Sequence, residues 1–454
     1  MEPEEARSLV RSTALAGWQI QGRWDPLLVV RAEGSRFWDA QGREYLDLSA
    51  QQVAANLGYG NRSVTDALVA QAQSLPYVSP SFATSIRAEL SRALGSVVPK
   101  GLNHYFFSSS GTEANEAALK MARGGTGRRR IVARSRSYHG STAAALSVSG
   151  DLRRRVVEPT QSVAGTVFAP DCYCYRCPFG LEYPSCGVAC AEYVDELIER
   201  SGDVAAMIVE PVVGTNGVLV PVPEYLPRLR EITRRHDVLL IADEVMTGWG
   251  RTGAWFASER FGVVPDLLTT AKGITGAYVP LGLTATTAAL HDAFADRYFP
   301  HGHTYEAHPL TLAPAVAAIG EYRRLNLLEK SRTDGEYLLK RLREMAEHHP
   351  SVGDVRGLGL FAAVELVKDR ATKAPFNTGE DKLAGRPLVA EEVAQAMMRE
   401  GVYAMAWVSH LVIAPPLIVR RDELDRGLEA LDAALKVADE QVSSGTRSAP
   451  SSPA

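Results

Sequence analysis

Three short segments hold the residues whose types and spacing could do chemistry. In Leu267-Leu268-Thr269-Thr270-Ala271-Lys272-Gly273 a lysine closes a strand-like run and precedes glycine, at the carboxyl end of a strand, where α/β folds bind ligands. A desolvated lysine has a depressed pKa and can attack a carbonyl to form a Schiff base. In Ile241-Ala242-Asp243-Glu244-Val245 an aspartate ends an apolar run, and a carboxylate there needs a partner to offset desolvation. A protonated heterocyclic nitrogen would serve, and so would a helix N-cap role or the nearby Arg251. In Phe107-Ser108-Ser109-Ser110-Gly111-Thr112-Glu113-Ala114-Asn115 a strand gives way to a helix, with Ser110 and Glu113 at capping-box spacing. The free N–H groups of that helix start, its dipole and the hydroxyls of Ser110 and Thr112 suit a phosphate. Taken singly, each segment has a commoner explanation: a capped helix, a bonded aspartate, a surface lysine that snorkels.

The elements that must position these residues follow from the patterning. Between about Asp66 and Phe299, short β-branched and aliphatic runs alternate with amphipathic segments, the pattern of a parallel sheet wrapped by helices. Strands are predicted at His104–Phe107, Arg130–Ala133, Gly165–Phe168, Val204–Glu210, Val238–Asp243 and Leu267–Thr270. Ahead of them, Val29–Leu48 predicts a hairpin around a central turn. Behind them, Pro309–Met345 predicts helix, Gly353–Leu366 and Tyr403–Ala414 strands, and Asp422–Glu440 a closing helix. That last helix carries Leu424, Leu428, Leu431 and Leu435 on one face, with Asp422 as its N-cap. The tail Ser443–Ala454, rich in Ser, Pro and Gly, is expected to be disordered. The predicted fold is α/β: a large cofactor domain over 66–308 with a mostly parallel, seven-stranded type of sheet between helices. A smaller α+β domain is built from residues 1–65 and 309–442, with 443–454 as the tail.

The 454 residues carry 49 Lys+Arg against 53 Asp+Glu, a net charge of −4. Near balance argues against nucleic acid or a membrane surface as partner, since either needs a basic excess or stripe. The runs Arg128-Arg129-Arg130 and Arg153-Arg154-Arg155 are too short for one and are expected to be solvated faces. Met1-Glu2-Pro3-Glu4-Glu5 has no apolar run of the secretory kind, and no run of about 18 apolar residues occurs, so a cytoplasmic protein that does not span a membrane is expected. Gly248-Trp249-Gly250-Arg251-Thr252-Gly253 fits G-x-G-x-x-G, but no clear helix opens inside it and no acidic residue follows at ribose-binding distance.

In their order and spacing these segments resemble the class III, or ω-, aminotransferases, pyridoxal-phosphate enzymes of fold type I. The resemblance spans about Trp18 to Leu435. Ser137-Tyr138-His139-Gly140, Val209-Glu210-Pro211, Ala271-Lys272-Gly273, His303-Thr304-Tyr305 with His308-Pro309, and Ala414-Pro415-Pro416-Leu417 extend it. It implies that Lys272 holds pyridoxal 5'-phosphate and then shuttles a proton, and that Asp243 keeps the pyridine nitrogen protonated. Tyr138 and Val245 would face the two sides of the ring. Ser110, Gly111 and Thr112 would hold the phosphate, Thr304 would reach the neighbouring subunit's phosphate, and Glu210 would lie near the 3' oxygen. Shared sites of that kind imply a homodimer. The implied reaction moves an amino group from an amine or ω-amino acid to an oxo acid, pyruvate or 2-oxoglutarate, in two half reactions. An aminomutase, racemase or decarboxylase on the same scaffold is the alternative, followed by a binding protein without activity.

Trp18-x-x-Gln21, Gly34–Asp39 and Arg176-Cys177-Pro178-Phe179-Gly180 look most like the taurine and related ω-amine transaminases. Trp18 and Trp407 are then candidate substrate residues. One departure concerns substrate: many relatives carry an arginine in the strand before the Pro-Pro, whereas Gly401–Pro415 has none. Without that cation an acid group loses its bidentate partner, so a neutral or apolar amine donor is expected. All five cysteines, Cys172, Cys174, Cys177, Cys186 and Cys190, fall in one stretch. They are expected to be free thiols of a structural loop rather than a zinc or iron–sulfur site, although the C-x-x-C density leaves the metal open.

Overall fold

The computed structural model describes residues 1–445, the side chains of 158–161 and 443–445 excepted. Near the N-terminus, β1 (Val29–Glu33), β2 (Arg36–Asp39) and β3 (Glu44–Asp47) form an antiparallel meander, one strand more than the expected hairpin.

The large sheet comprises β4 (Leu102–Ser108), β5 (Arg130–Arg134), β6 (Thr166–Ala169), β7 (Val204–Val209), β8 (Leu239–Asp243), β9 (Leu267–Thr270) and β10 (Gly282–Thr287), in spatial order β4-β10-β9-β8-β7-β5-β6. Pairs from β9 through β8, β7 and β5 to β6 are parallel, and only β10 runs against its neighbours. Every residue of β7 is buried, as a parallel strand covered on both faces requires. Six of the seven strands fall where the sequence predicts them. The seventh, β10, reads Gly-Leu-Thr-Ala-Thr-Thr, too polar to stand out. Its threonines are accommodated by bonding, Thr284 donating to the Ala114 carbonyl at 2.8 Å.

Helix Gly111–Thr126 crosses this sheet. Its buried face is Ala114, Asn115, Ala117, Ala118, Leu119, Met121 and Ala122, small side chains that let helix and strands approach closely. Gly127 ends it in the left-handed region, at φ 71°.

The predicted helix over Pro309–Met345 is two, Pro309–Arg324 and Leu327–His348. The predicted strand Gly353–Leu366 is a hairpin, β11 (Val352–Gly357) with β12 (Ala362–Asp369), followed by β13 (Ala374–Pro375) on the β12 edge. The segment predicted as strand from Tyr403 divides into β14 (Val402–Tyr403), β15 (Met405–Trp407) and β16 (His410–Ile413). Strand β14 pairs in parallel with β3, Val402 opposite Leu46 and Tyr403 opposite Asp47, so residues from both ends of the chain share one sheet.

The closing helix runs Arg421–Gly445 and buries Leu424, Leu428, Leu431 and Leu435 as their spacing predicts. Asp422 does not cap it. The helix already starts at Arg421, and the Asp422 carboxylate instead accepts from Arg420 Nε and Nη2 at 3.0 and 2.9 Å. Residues 443–445, expected in the tail, continue the helix, and 446–454 lie outside the described residues.

Candidate active site

The carboxyl ends of β4, β5, β7, β8 and β9 deliver the predicted residues to one edge of the sheet. Lys272 follows β9 directly and has φ 45°, a left-handed conformation that costs a non-glycine residue on the order of 1–2 kcal/mol. The neighbouring chain holds it there. A Cβ on Gly273 would stand 2.6 Å from Asn56 Nδ2 and 2.7 Å from Trp249 Cβ, and the Gly273 carbonyl accepts from the Tyr322 hydroxyl at 2.7 Å. Burial pushes the Lys272 ammonium below the ordinary lysine range, against the opposing pull of Asp243 and Glu210. Among the described residues its amine has no hydrogen-bond or ion-pair partner.

Asp243 ends β8 and is 3 % exposed. Its Oδ1 accepts from the Val245 N–H at 3.0 Å, and its Oδ2 accepts from Asn115 Nδ2 and His139 Nδ1, both at 2.7 Å. A carboxylate only accepts, so the His139 proton sits on Nδ1. His139 Nε2 is buried without a partner among the described residues. Asn115 is itself fixed: its Nδ2 also donates to the His139 carbonyl at 2.7 Å, and its Oδ1 accepts from Thr269 at 2.6 Å. A carboxylate offers roughly four acceptor positions. Three are taken, and the remaining one suits the N–H of a protonated ring nitrogen.

Ser110 caps helix Gly111–Thr126, its hydroxyl accepting from the Glu113 N–H at 3.2 Å. Glu113 returns the contact to the Ser109 N–H at 2.7 Å, one residue earlier than a capping box would place it. Gly111 touches the other wall of the site: a Cβ there would meet Val245 Cγ2 at 2.7 Å. Thr112 packs likewise on Gly140, whose Cβ would fall 2.7 Å from its Oγ1. Glu210 is buried and links two loops, Oε1 accepting from the Tyr138 N–H at 3.0 Å and Oε2 from the Gly214 N–H at 2.8 Å. Burial raises its pKa.

Tyr138 meets the edge of Trp18, ring centroids 6.0 Å apart. Trp407 donates to Asn216 Oδ1 at 2.9 Å. Between these rings stands Arg153, which the sequence assigns to a solvated basic run. Its side chain is 9 % exposed and ion-paired with Asp151.

A half-buried, unpartnered lysine near a carboxylate with one free acceptor position, and a capped helix start opposite, is the arrangement a phosphorylated aldehyde cofactor needs. The family model for class-III aminotransferases matches residues 20–435. The chain belongs to that family. It is 37 % identical over 427 residues to an adenosylmethionine-8-amino-7-oxononanoate aminotransferase of Geobacter sulfurreducens, covering 90 % of this chain and 92 % of that one. It is 35 % identical over 427 residues to a taurine–pyruvate aminotransferase of Rhodobacter capsulatus, covering 91 % and 92 %. Among solved structures, the taurine:2-oxoglutarate aminotransferase of Bifidobacterium kashiwanohense, in complex with PLP and glutamate, superposes with a TM-score of 0.91. That pair is 33 % identical, covering 97 % of this chain and 99 % of the other. The protein is thus an aminotransferase, an enzyme that moves an amino group from a donor to an oxo acid.

Within this class-III aminotransferase, Ser110, Gly111, Thr112, Tyr138, Glu210, Asp243, Val245, Lys272, Trp18 and Trp407 gather around one site, Arg153 linking both tryptophans to Tyr138. Thr304 is the exception. It is exposed, and its carbonyl accepts from the Tyr77 hydroxyl at 3.1 Å on an exposed aromatic surface with Tyr305. Asn115 and His139 stand inside the motifs quoted from the sequence, but nothing there marks them as supports of Asp243. Arg251 is not the partner of Asp243: fully buried, it donates to the Leu360 and Pro415 carbonyls at 2.9 and 2.6 Å and to Asn56 Oδ1 at 2.7 Å. Burial brings its pKa down to about 10. The G-x-G-x-x-G segment is therefore a tie between distant loops.

The five thiols are free and line one small cavity together with Phe179 and Tyr183. A hydrogen bond between Cys172 and Cys190 pushes the Cys172 thiol up and the Cys190 thiol down. No group of three or more His, Cys, Asp or Glu side chains is placed to hold a metal ion among the described residues. No described helix is long and apolar enough to cross a membrane.

Proposed function

We propose that this class-III aminotransferase holds pyridoxal 5'-phosphate at Lys272 and takes an amine or ω-amino acid as donor and pyruvate or 2-oxoglutarate as acceptor. The observation that carries the reading is Lys272 itself, a half-buried amine without a partner among the described residues, near a carboxylate that keeps one acceptor position free. When bound, the cofactor supplies an electron sink for the carbon that gains or loses the amino group. The chain's own residues do the rest. Asp243 would accept the ring N–H and keep it protonated, with Asn115, His139 and Val245 fixing the carboxylate. The N–H groups at Gly111 and Thr112 and the Ser110 and Thr112 hydroxyls bind the phosphate. Tyr138 and Val245 would hold the ring from its two sides, Glu210 would lie on the side of its 3' oxygen, and the Lys272 amine would serve as the base that moves the proton at the donor carbon.

The assembly is a homodimer in which Thr304 of one subunit completes the phosphate site of the other. The exposed rings of Tyr77 and Tyr305 beside Thr304 support this pairing, as does the exposure of Thr304 itself. Five unpaired thiols fit the reducing conditions of the cytoplasm. The test is a half reaction. The yellow absorbance of the holoenzyme should bleach with an amine donor and return with an oxo acid, and Lys272→Ala should lose the covalently held cofactor. Failure of the wild type to cycle would refute amino transfer.

A further inference from the structure

The arginine missing from Gly401–Pro415 leaves an oxo acid without an obvious cation, and the structure offers one from another element. Arg153 lies at the start of helix Leu152–Gln161. Of its run, Arg154 covers Phe168 and Arg155 is 60 % exposed and pairs with Glu380, while Arg153 turns into the site. Its guanidinium carbon stands 3.7 Å from the centroid of the Tyr138 ring, 4.6 Å from Trp407 and 5.2 Å from Trp18. Three rings from three distant segments surround one cation, which orients the guanidinium plane and shields it from water.

Asp151 occupies one edge of that fork, accepting from Arg153 Nε at 2.7 Å and from its backbone N–H at 2.9 Å. Nη2 touches the same carboxylate but makes no aligned hydrogen bond and is sealed from solvent. Nη1 has no acceptor among the described residues. A guanidinium carries five N–H donors, and a planar oxyanion is the group that satisfies the outer ones in pairs. The positive charge also reaches Lys272, where it opposes protonation. A cavity of about 450 Å³ adjoins, with Asp151, Asn216 and Trp407 in its wall. Arg153 is not itself in that wall, and the arginines that are there are committed or exposed: Arg155 pairs with Glu380, Arg176 and Arg356 share Glu365, and Arg136 lies in solvent over Tyr173.

We propose that Arg153, held in its collar of Trp18, Tyr138 and Trp407, receives the carboxylate of the oxo-acid acceptor and makes the enzyme select oxo acids over aldehydes. This rests on the amino-transfer reading above and adds the residue that sets acceptor class. It also replaces the expectation of a site without a cation, so a donor bearing an acid group is accommodated by the same fork.

The experiment compares wild type, Arg153→Gln and Arg153→Lys as holoenzymes. In calorimetric titrations, wild type should bind propionate, an unreactive carboxylate, at least about tenfold more tightly than neutral propionamide, and Arg153→Gln should lose that difference. In the second half reaction, return of the yellow absorbance is followed with pyruvate or with propanal. The pyruvate-to-propanal ratio of rate constants should fall about 10- to 100-fold in Arg153→Gln and less in Arg153→Lys, which keeps the charge and loses the fork. Equal slowing with both acceptors, leaving the ratio unchanged, would reduce Arg153 to a support for Tyr138 and overturn the proposal. So would equal binding of propionate and propionamide by wild type. Should Arg153→Gln not fold, the Arg153→Lys ratio and the wild-type titrations decide. If wild type does not cycle with any amine and oxo acid, amino transfer is what fails, and the propionate titrations still decide Arg153.

Discussion

Replacing Gly111 by alanine drives a methyl group into Val245. The new Cβ would stand 2.7 Å from Val245 Cγ2 and 2.9 Å from Cγ1, whereas carbons in contact sit about 3.5–4.0 Å apart. Neither side can yield freely. The Val245 N–H is bonded to Asp243, and Gly111 is the first residue of a helix capped by Ser110. Overpacking of this kind costs about 1–3 kcal/mol. Because the displaced atoms are the helix start and the Asp243 loop, the strain falls on both proposed contacts to the cofactor, its phosphate and its ring nitrogen. We expect Gly111→Ala to lower the apoprotein's urea midpoint and weaken cofactor binding about tenfold, at roughly 1.4 kcal/mol per decade. Val245→Ala removes both Cγ atoms. In the double variant the clash is gone, so its loss should be smaller than the sum of the single losses by about 1 kcal/mol or more. The assays are urea unfolding of the apoprotein and spectrophotometric titration with pyridoxal phosphate. Wild-type behaviour of Gly111→Ala, or strict additivity in the double variant, would refute the contact.

Two further outcomes follow from the buried polar groups. Asn115→Ala removes a donor to Asp243 and leaves Thr269 and the His139 carbonyl short of partners, which should cost about 1–3 kcal/mol by urea unfolding. Asn115→Asp should do worse and move the acid limb of the half-reaction pH profile upward, because two carboxylates in contact resist joint ionisation. For Lys272, the folded apoprotein holds the amine below its ordinary range of 10.5. Between that lowered value and the unfolded one the unfolded chain binds more protons, so stability rises with pH across the window. Lys272→Met should therefore raise the apoprotein's Tm, by more at pH 7 than at pH 10, and an equal gain at both would show that the fold does not lower the amine's pKa.

Much of this site was legible because the residues proposed to be catalytic stand at strand ends, where they leave local marks. Asp243 closes an apolar run, Lys272 a strand-like one, and Ser110 announces a helix start. Strand β10 left no such mark, since its threonines are made tolerable only by partners such as the Ala114 carbonyl. Asn115 reads as one more residue of a helix, and its importance appears only when β8 and β9 bring Asp243 and Thr269 against it. Arg153 is the clearest case. Successive helical residues point about 100° apart, so a run of three arginines cannot all face one way. Which of them turns inward depends on Trp18 and Trp407, more than a hundred positions away on either side. Thr304 sits at the other limit, exposed in a single subunit.

The pairing of Leu46 with Val402 has a consequence for how the protein is made. A ribosome adding about 5–20 residues per second completes β1–β3 tens of seconds before it supplies β14. Throughout that interval the open edge of β3 offers unpaired N–H and C=O groups to any passing strand, including another nascent copy on the same message. The sheet that joins the two ends of the chain is therefore the one whose edge stays open longest during synthesis, and a place where crowded synthesis goes wrong. Slower elongation lengthens that risk, and holdase chaperones acting on the emerging N-terminal meander shorten it.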